Sequence, residues 1–172
     1  VRLYDGMTLP YSDATFDLIF SQQVLEHVKD RFIASFISEE VRTLGKKGIV
    51  YHQIPHRWTP WESHTKSWLV HYLPRSLQNP IYRALGHDPD YLLDILHLRS
   101  PLFFYRAFWR AFSNCRNETL DRIAARADPS YYEGNIRLRN FIAQIAKLPI
   151  IRNVIVHLVM IDLTAGGGNS SE

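Results

Sequence analysis

Phe16-Asp17-Leu18-Ile19-Phe20-Ser21 is an almost unbroken apolar run. A strand buried on both faces of a parallel sheet reads this way, whereas a half-exposed strand alternates. From about Val24 the period changes. Phe32, Ile33, Phe36, Ile37, Val41 and Leu44 fall at helical spacing and form one apolar stripe. Leu44-Gly45-Lys46-Lys47-Gly48 supplies a glycine stop and a basic last turn, and Gly48-Ile49-Val50-Tyr51-His52-Gln53-Ile54 is a second apolar strand closed by Pro55. Strand, helix, strand with short connections is a βαβ crossover, which requires parallel pairing. The expected class is α/β with a mostly parallel sheet.

Upstream, Val1-Arg2-Leu3-Tyr4 is a short β-prone run ended by the turn signal Asp5-Gly6, and residues 9–13 are loop. Downstream, residues 56–74 are a loop rich in aromatics and histidine. Short helices are expected over 75–86 and 91–98, an aromatic helix over 101–112, and further helices over 118–127 and 131–147. Residues 150–163 read as a final strand or buried helix. The organisation expected is one domain over 1–163: a βαβ core (1–55), a substrate-side loop with helices (56–149) and the last element (150–163). A flexible tail, 164–172, is expected to follow it.

The 172 residues, 46% hydrophobic and 22% charged, suffice for a core without staples and exclude a disordered or collagen-like chain. The lone Cys115 rules out an internal disulfide and favours a reducing, cytoplasmic compartment. A net charge of +3 with scattered basic residues argues against nucleic acid as a partner. The most apolar stretch, 145–163, is interrupted by Lys147, Pro149, Arg152, His157 and Asp162, so no spanning helix is expected. Leu102-Phe103-Phe104-Tyr105 and Phe108-Trp109 read first as a core helix and second as a peripheral membrane contact.

Ligands of open α/β sheets bind beyond the carboxyl ends of the strands. The loops 5–11, 21–28 and 55–68 therefore carry the functional expectation. In the last of them His64 with Glu62 as orienter suits a general base for an oxygen nucleophile, because imidazole titrates near neutrality. Hydrogen bonding within the loop is the competing use of that pair. Arg57 and Trp58 suit an acceptor pocket. His52, His56, His64 and His71 match no closed zinc spacing, and no metal is expected.

Two segments then resemble a known family. Asp5-Gly6-Met7-Thr8-Leu9-Pro10-Tyr11-Ser12-Asp13, Phe16-Asp17-Leu18-Ile19 and Leu25-Glu26-His27-Val28 look like the central block of class I S-adenosylmethionine-dependent methyltransferases of the type 11 kind. Glu40-Val41-Arg42-Thr43-Leu44-Gly45-Lys46-Lys47-Gly48 resembles the segment before that family's fifth strand, without its proline. Pro55-His56-Arg57-Trp58 and Glu62-Ser63-His64 resemble a subset in which asparagine stands at the position of His56.

The resemblance implies a Rossmann-like sheet of order 3-2-1-4-5-7-6 and S-adenosylmethionine as cofactor. Methyl transfer would go to a small-molecule, lipid or sugar acceptor. By the same resemblance Asp5, Gly6, Met7, Ser21, Gln22 and His27 hold the cofactor, and His56, Arg57 and Trp58 meet the substrate. The family's glycine-rich loop has no counterpart; Gly166-Gly167-Gly168 precedes no helix. The chain thus reads as a methyltransferase fold starting near the third strand, with a C-terminal helical elaboration. The competing reading is a non-catalytic remnant, or a half-domain that needs a partner to hold the cofactor.

Overall fold

The computed structural model describes residues 7–127, 137, 140, 141, 144 and 148–168. The central pair is the expected one. β1 (Phe16–Gln22) leads through a 3₁₀ turn (Leu25–His27) into α1 (Asp30–Thr43), which passes directly into β2 (Leu44–Ile54). β1 and β2 are parallel, with Ile19 opposite Val50, Ser21 opposite His52 and Gln22 opposite Gln53.

The loop after β2 carries a two-residue hairpin, β3 (Trp61–Glu62) and β4 (Ser67–Trp68). Then come α2 (Arg75–Ala84), α3 (Pro89–Ile95), α4 (Pro101–Ala111), β5 (Phe112–Asn117), α5 (Thr119–Ala127), α6 (Pro149–Leu158) and β6 (Ile161–Gly168). The sheet order is β1-β2-β6-β5, and β6 runs antiparallel to both neighbours. The sheet is therefore mixed, although β1, β2 and β5 all point the same way. This order is the 4-5-7-6 half of the order implied by the resemblance. Among the described residues no helix is long and apolar enough to cross a membrane.

Several boundaries differ from expectation. Residues 150–163 are neither one strand nor one helix: α6 ends at Leu158 and β6 begins at Ile161. Residues 164–168, expected as tail, are the second half of β6. Thr-Ala-Gly-Gly-Gly has little strand propensity, but pairing on both sides overrides propensity. A side chain is also unwelcome there, since a Cβ at Gly166 would sit 3.1 Å from the Gly48 carbonyl. β5, Phe-Ser-Asn-Cys-Arg-Asn, lacks an apolar pattern because it is an edge strand. Ser113 Oγ donates to the Gly167 carbonyl at 2.7 Å. β2 starts at Leu44 rather than Gly48, accommodated by a register shift between Phe16 and Leu18. At Gly48 a Cβ would lie 2.9 Å from the Phe16 carbonyl, so glycine is required. The expected strand at 1–4 and most of the helix at 131–147 lie outside the described residues, as do Asp5 and Gly6.

The core lies on one face of the sheet. Ile19, Val50, Ile54, Leu163 and Ala165 pack beneath Ile33 and Ile37 of α1 and Phe104 and Phe108 of α4. Helical spacing on α1 and α4 puts these side chains on one stripe each. Leu102, Phe103 and Trp109 of α4 remain exposed. The opposite sheet face leaves Leu18, Phe20 and Ile49 exposed, and Phe20 stacks on Tyr51 at a centroid distance of 5.6 Å.

Candidate functional site

The carboxyl ends of β1 and β2 gather most of the polar side chains singled out in the sequence. Gln22 Nε2 donates to Gln53 Oε1 at 2.9 Å, and Gln53 Nε2 donates to Asp162 Oδ1 at 3.0 Å. Tyr51 donates its hydroxyl proton to the same Asp162 oxygen at 2.5 Å, and Arg122 pairs with the other. The row crosses three strands and fixes the side chains at the edge of the sheet. Ser21 Oγ lies 2.6 Å from His52 Nδ1, whose Nε2 faces Glu40 Oε2 at 3.2 Å. With Nε2–H donating to the Glu40 carboxylate, His52 Nδ1 accepts from the Ser21 hydroxyl, whose oxygen keeps acceptor capacity.

Before β1, the loop 9–13 is pinned by one side chain. Arg42, in the last turn of α1, donates to the carbonyls of Leu9 (3.0 Å) and Tyr11 (2.8 Å) and to Asp13 Oδ1 (2.8 Å). Glu39 holds the guanidinium through two more bonds and accepts from Leu9 N at 2.7 Å. Met7 begins this described segment and is exposed.

After β1, Gln23 takes a left-handed backbone (φ 54°) and the chain turns into Leu25–His27. Buried Arg99 grips that turn, donating to the carbonyls of Leu25 (3.0 Å) and Val28, with Asp30 as its counter-ion. His97 N binds the Glu26 carbonyl at 2.7 Å. Glu26 is thereby carried fully inside (0% exposed). Among the described residues neither of its carboxylate oxygens has a hydrogen-bond partner. Burial pushes its carboxyl up from the ordinary range, against the opposing pull of His27 and His64.

The β3–β4 hairpin brings Glu62 and His64 to the same place. Glu62 Oε1 accepts from His64 Nδ1 at 2.7 Å and from His64 N at 3.0 Å, and Oε2 accepts from Thr65 N at 2.6 Å. Burial alone would raise the Glu62 carboxyl, but the His64 and Thr65 donors outweigh it and hold it at about 2. The bond to Glu62 raises His64 above its ordinary value, burial opposes, and the charges of Glu62 and Glu26 add to the rise. His64 Nε2 points at Glu26 Oε1, 3.6 Å away, and His27 Nε2 lies 3.7 Å from the same oxygen. The two imidazoles meet edge to face at 4.9 Å, and His27 Nδ1 is held by the Ile95 carbonyl at 2.7 Å.

The fold thus joins the expected His64, Glu62 and His27 and adds Glu26. Sequence spacing gave Glu26 no such place, because Leu-Glu-His-Val also reads as an ordinary helix start. The expectation of no metal rested on spacing within the 52–71 loop, whereas Glu26, His27 and His64 come from two separate loops.

His56 is buried (1% exposed). Its Nε2 meets the Val159 carbonyl at 2.7 Å and its Nδ1 accepts from Trp58 N at 3.1 Å, so it ties the loop to the α6 end. Trp58 packs edge-on against His157 of α6 at 5.6 Å. Arg57 lines a cavity of about 480 Å³ together with Thr65, His71, Arg75, Tyr82 and Arg99. Thr65 links that cavity to the Glu62–His64 pair.

A family model described as a methyltransferase domain matches residues 1–52. The match covers under a third of the 172 residues. It contains the loop pinned by Arg42, all of β1 and α1, and β2 as far as His52. Solved structures that this chain is similar to include a geranyl diphosphate C-methyltransferase from Streptomyces coelicolor A3(2), crystallised with Mg2+, geranyl diphosphate and S-adenosyl-L-homocysteine. Identity is 14%, over 96% of this chain and 51% of that one, with a TM-score of 0.45. An S-adenosylmethionine-dependent methyltransferase from Mesorhizobium loti is 17% identical over 94% of this chain and 66% of that one, with a TM-score of 0.44. A geranyl diphosphate methyltransferase in complex with SAM is 16% identical over 96% and 56%, with a TM-score of 0.44. The chain spans about half the length of the geranyl diphosphate methyltransferases.

Proposed function

We propose that the protein takes part in S-adenosylmethionine-dependent methyl transfer to a small-molecule, lipid or sugar acceptor. One observation carries this reading: the segment that the methyltransferase-domain model matches holds Ser21 and Gln22 at the carboxyl end of β1 and, in the turn that follows, His27, against which His64 of the Glu62–His64 pair packs from the loop after β2. The lone Cys115 accords with a cytoplasmic setting.

The residues at this edge fit a ligand with a polar, zwitterionic end. The Ser21 oxygen is oriented by His52 with acceptor capacity to spare, and Gln22 is held in place by Gln53. Ser21, Gln22, Met7 and His27 would hold the cofactor, and the resemblance assigns Asp5 and Gly6 to the same task. The cofactor, when bound, supplies an electrophilic methyl group. On the acceptor side, Arg57 lines the cavity directly. Trp58 and His56 are the other two residues of this reading; His56 accepts from Trp58 N and so fixes the backbone next to Arg57. His64 accepts the proton of an acceptor hydroxyl through Nε2, because Glu62 holds its Nδ1 proton and fixes the tautomer. In-line placement of the acceptor oxygen supplies the larger share of the rate.

Calorimetric titration of the chain with S-adenosylhomocysteine tests the reading. One-to-one binding that weakens when Ser21 or Gln22 is replaced by alanine is the expected result. No heat at millimolar ligand would favour the other reading, a remnant or partner-dependent half-domain.

A further inference from the structure

We infer that Glu26, His27 and His64 form a binding site for a single divalent transition-metal ion of the zinc or iron(II) class. The inference uses the same residues as the functional reading but does not depend on methyl transfer. Its footing is geometric. Two imidazoles and one carboxylate offer ligand atoms that all lie within 4.8 Å of one another. Bonds of about 2.0–2.1 Å in a tetrahedral site put neighbouring ligand atoms roughly 3.4 Å apart. The His64 Nε2–Glu26 Oε1 and His27 Nε2–Glu26 Oε1 separations of 3.6 and 3.7 Å need only a few tenths of an ångström of closure, and the two imidazole nitrogens, within 4.8 Å of each other, close by at most about 1.4 Å.

Both imidazoles are also in the right tautomer. Ligand histidines characteristically give their other ring proton to a carboxylate or a backbone carbonyl, which orients the ring and bares the remaining lone pair. Here His64 Nδ1 gives its proton to Glu62 and His27 Nδ1 gives its proton to the Ile95 carbonyl, each at 2.7 Å. The two Nε2 lone pairs therefore turn toward Glu26. Glu26 supplies the independent sign of a missing partner. It is fully buried, and among the described residues its two oxygens have no hydrogen-bond partner. Buried polar atoms without partners are rare and point to a role or an absent ligand.

Two nitrogens and one oxygen favour zinc, iron or cobalt over magnesium or calcium, which prefer oxygen donors. Two histidines and one glutamate leave a fourth position open, here on the side where His27 and His64 reach solvent. The His64 Nε2 lone pair serves one partner at a time, so a bound ion takes His64 out of service as a proton acceptor.

The test is titration of chelator-treated full chain with Zn(II), followed by calorimetry, and with Co(II), followed by visible absorption. One equivalent with a tetrahedral or five-coordinate Co(II) spectrum is expected. His27→Gln, a change at a partly exposed side chain, should weaken binding by at least tenfold, and Glu26→Gln should do the same. Glu62→Gln, which acts through His64, should weaken it by about 10–100-fold. If a variant fails to fold, the wild-type protein still decides: Zn(II) must shift the Nε2 resonances of His27 and His64 together. No binding, shifts confined to other histidines, or affinity unchanged in folded His27→Gln each overturns the site. Loss of S-adenosylhomocysteine binding with Zn(II) binding intact would instead remove the functional reading and leave this one standing.

Discussion

Lowering the pH should destabilise this protein through His56 before the Glu62 carboxylate titrates. Burial drops the His56 imidazole to about 4, against a smaller upward pull from the Val159 carbonyl and a further downward push from His157. In the unfolded chain it returns to about 6.5. Between these values the unfolded state binds a proton that the folded state refuses. Stability therefore falls as pH drops from 6.5 toward 4 and levels off below that. Two and a half units correspond to about 3 kcal/mol, a large part of the roughly 5–15 kcal/mol a domain has. Glu62 has the opposite kind of shift, a depressed carboxyl. Its contribution is present above about 4.5 and is lost only as pH falls toward 2, while the Glu26 carboxyl, raised by burial, acts in the opposite sense to His56 as pH falls and is common to both proteins compared below.

The assay is urea unfolding at several pH values for the wild-type chain and for His56→Asn, which cannot titrate. The variant sets its own absolute stability; only the change with pH is compared. His71, also lowered by burial, and His64, raised by Glu62, are present in both proteins and cancel in the difference. From pH 7 to 4.5 the wild type should lose about 2.5 kcal/mol more than His56→Asn. Parallel pH profiles would refute the reasoning, as would an NMR titration placing the His56 midpoint near 6.5 in the folded protein.

Three further substitutions probe the core, the loop before β1 and the acceptor side. Phe108→Ala removes a fully buried ring stacked on Phe112 and beside His52, and should cost about 3–5 kcal/mol in chemical denaturation. Arg42→Ala removes the guanidinium donors to the carbonyls of Leu9 and Tyr11 together; faster chymotryptic cleavage at Tyr11 and several-fold weaker S-adenosylhomocysteine binding are expected, with the far-UV spectrum unchanged. His64→Ala should lower methyl transfer to a hydroxyl acceptor by about 10²–10⁴-fold while cofactor affinity changes little, read from kcat and from calorimetry separately.

The βαβ centre was legible because its signal is periodicity, which survives tertiary context: Phe16 to Ser21 and Gly48 to Ile54 had to be strands around the α1 stripe. β5 and the end of β6 were not, because their stability comes from partners. Asn114, Arg116 and Gly166 carry no strand preference of their own, and the ladder supplies it. The site divides in the same way. Glu62 and His64 are close in sequence and share a hairpin, so their pairing could be read directly. Glu26 meets them only because Arg99 and His97, far along the chain, draw the 25–28 turn inward. His56 shows the converse. Its loop position suggested substrate contact, but both its nitrogens bind backbone.

Two histidine–carboxylate chains flank the end of β1, and their difference separates architecture from function. Ser21–His52–Glu40 is closed: His52 and Glu40 are buried and each ring nitrogen has a partner. Glu62–His64–Glu26 is open, because among the described residues the far carboxylate is buried with no hydrogen-bond donor, His27 and His64 standing off at 3.7 and 3.6 Å. Satisfied buried networks add rigidity, and breaking one exposes the full desolvation cost of whatever is left unpaired. Glu40→Gln should therefore destabilise the chain by about 1.5–3 kcal/mol, the usual loss for a hydrogen bond to a charged group. Glu26→Gln exchanges an unpartnered carboxyl for a neutral amide of the same shape, and should leave stability unchanged or raise it. Urea midpoints for the two variants at pH 7 decide the matter. Equal losses would mean that Glu26 is as much a structural partner as Glu40; an undiminished midpoint for Glu26→Gln alone marks a carboxylate retained for something other than the fold.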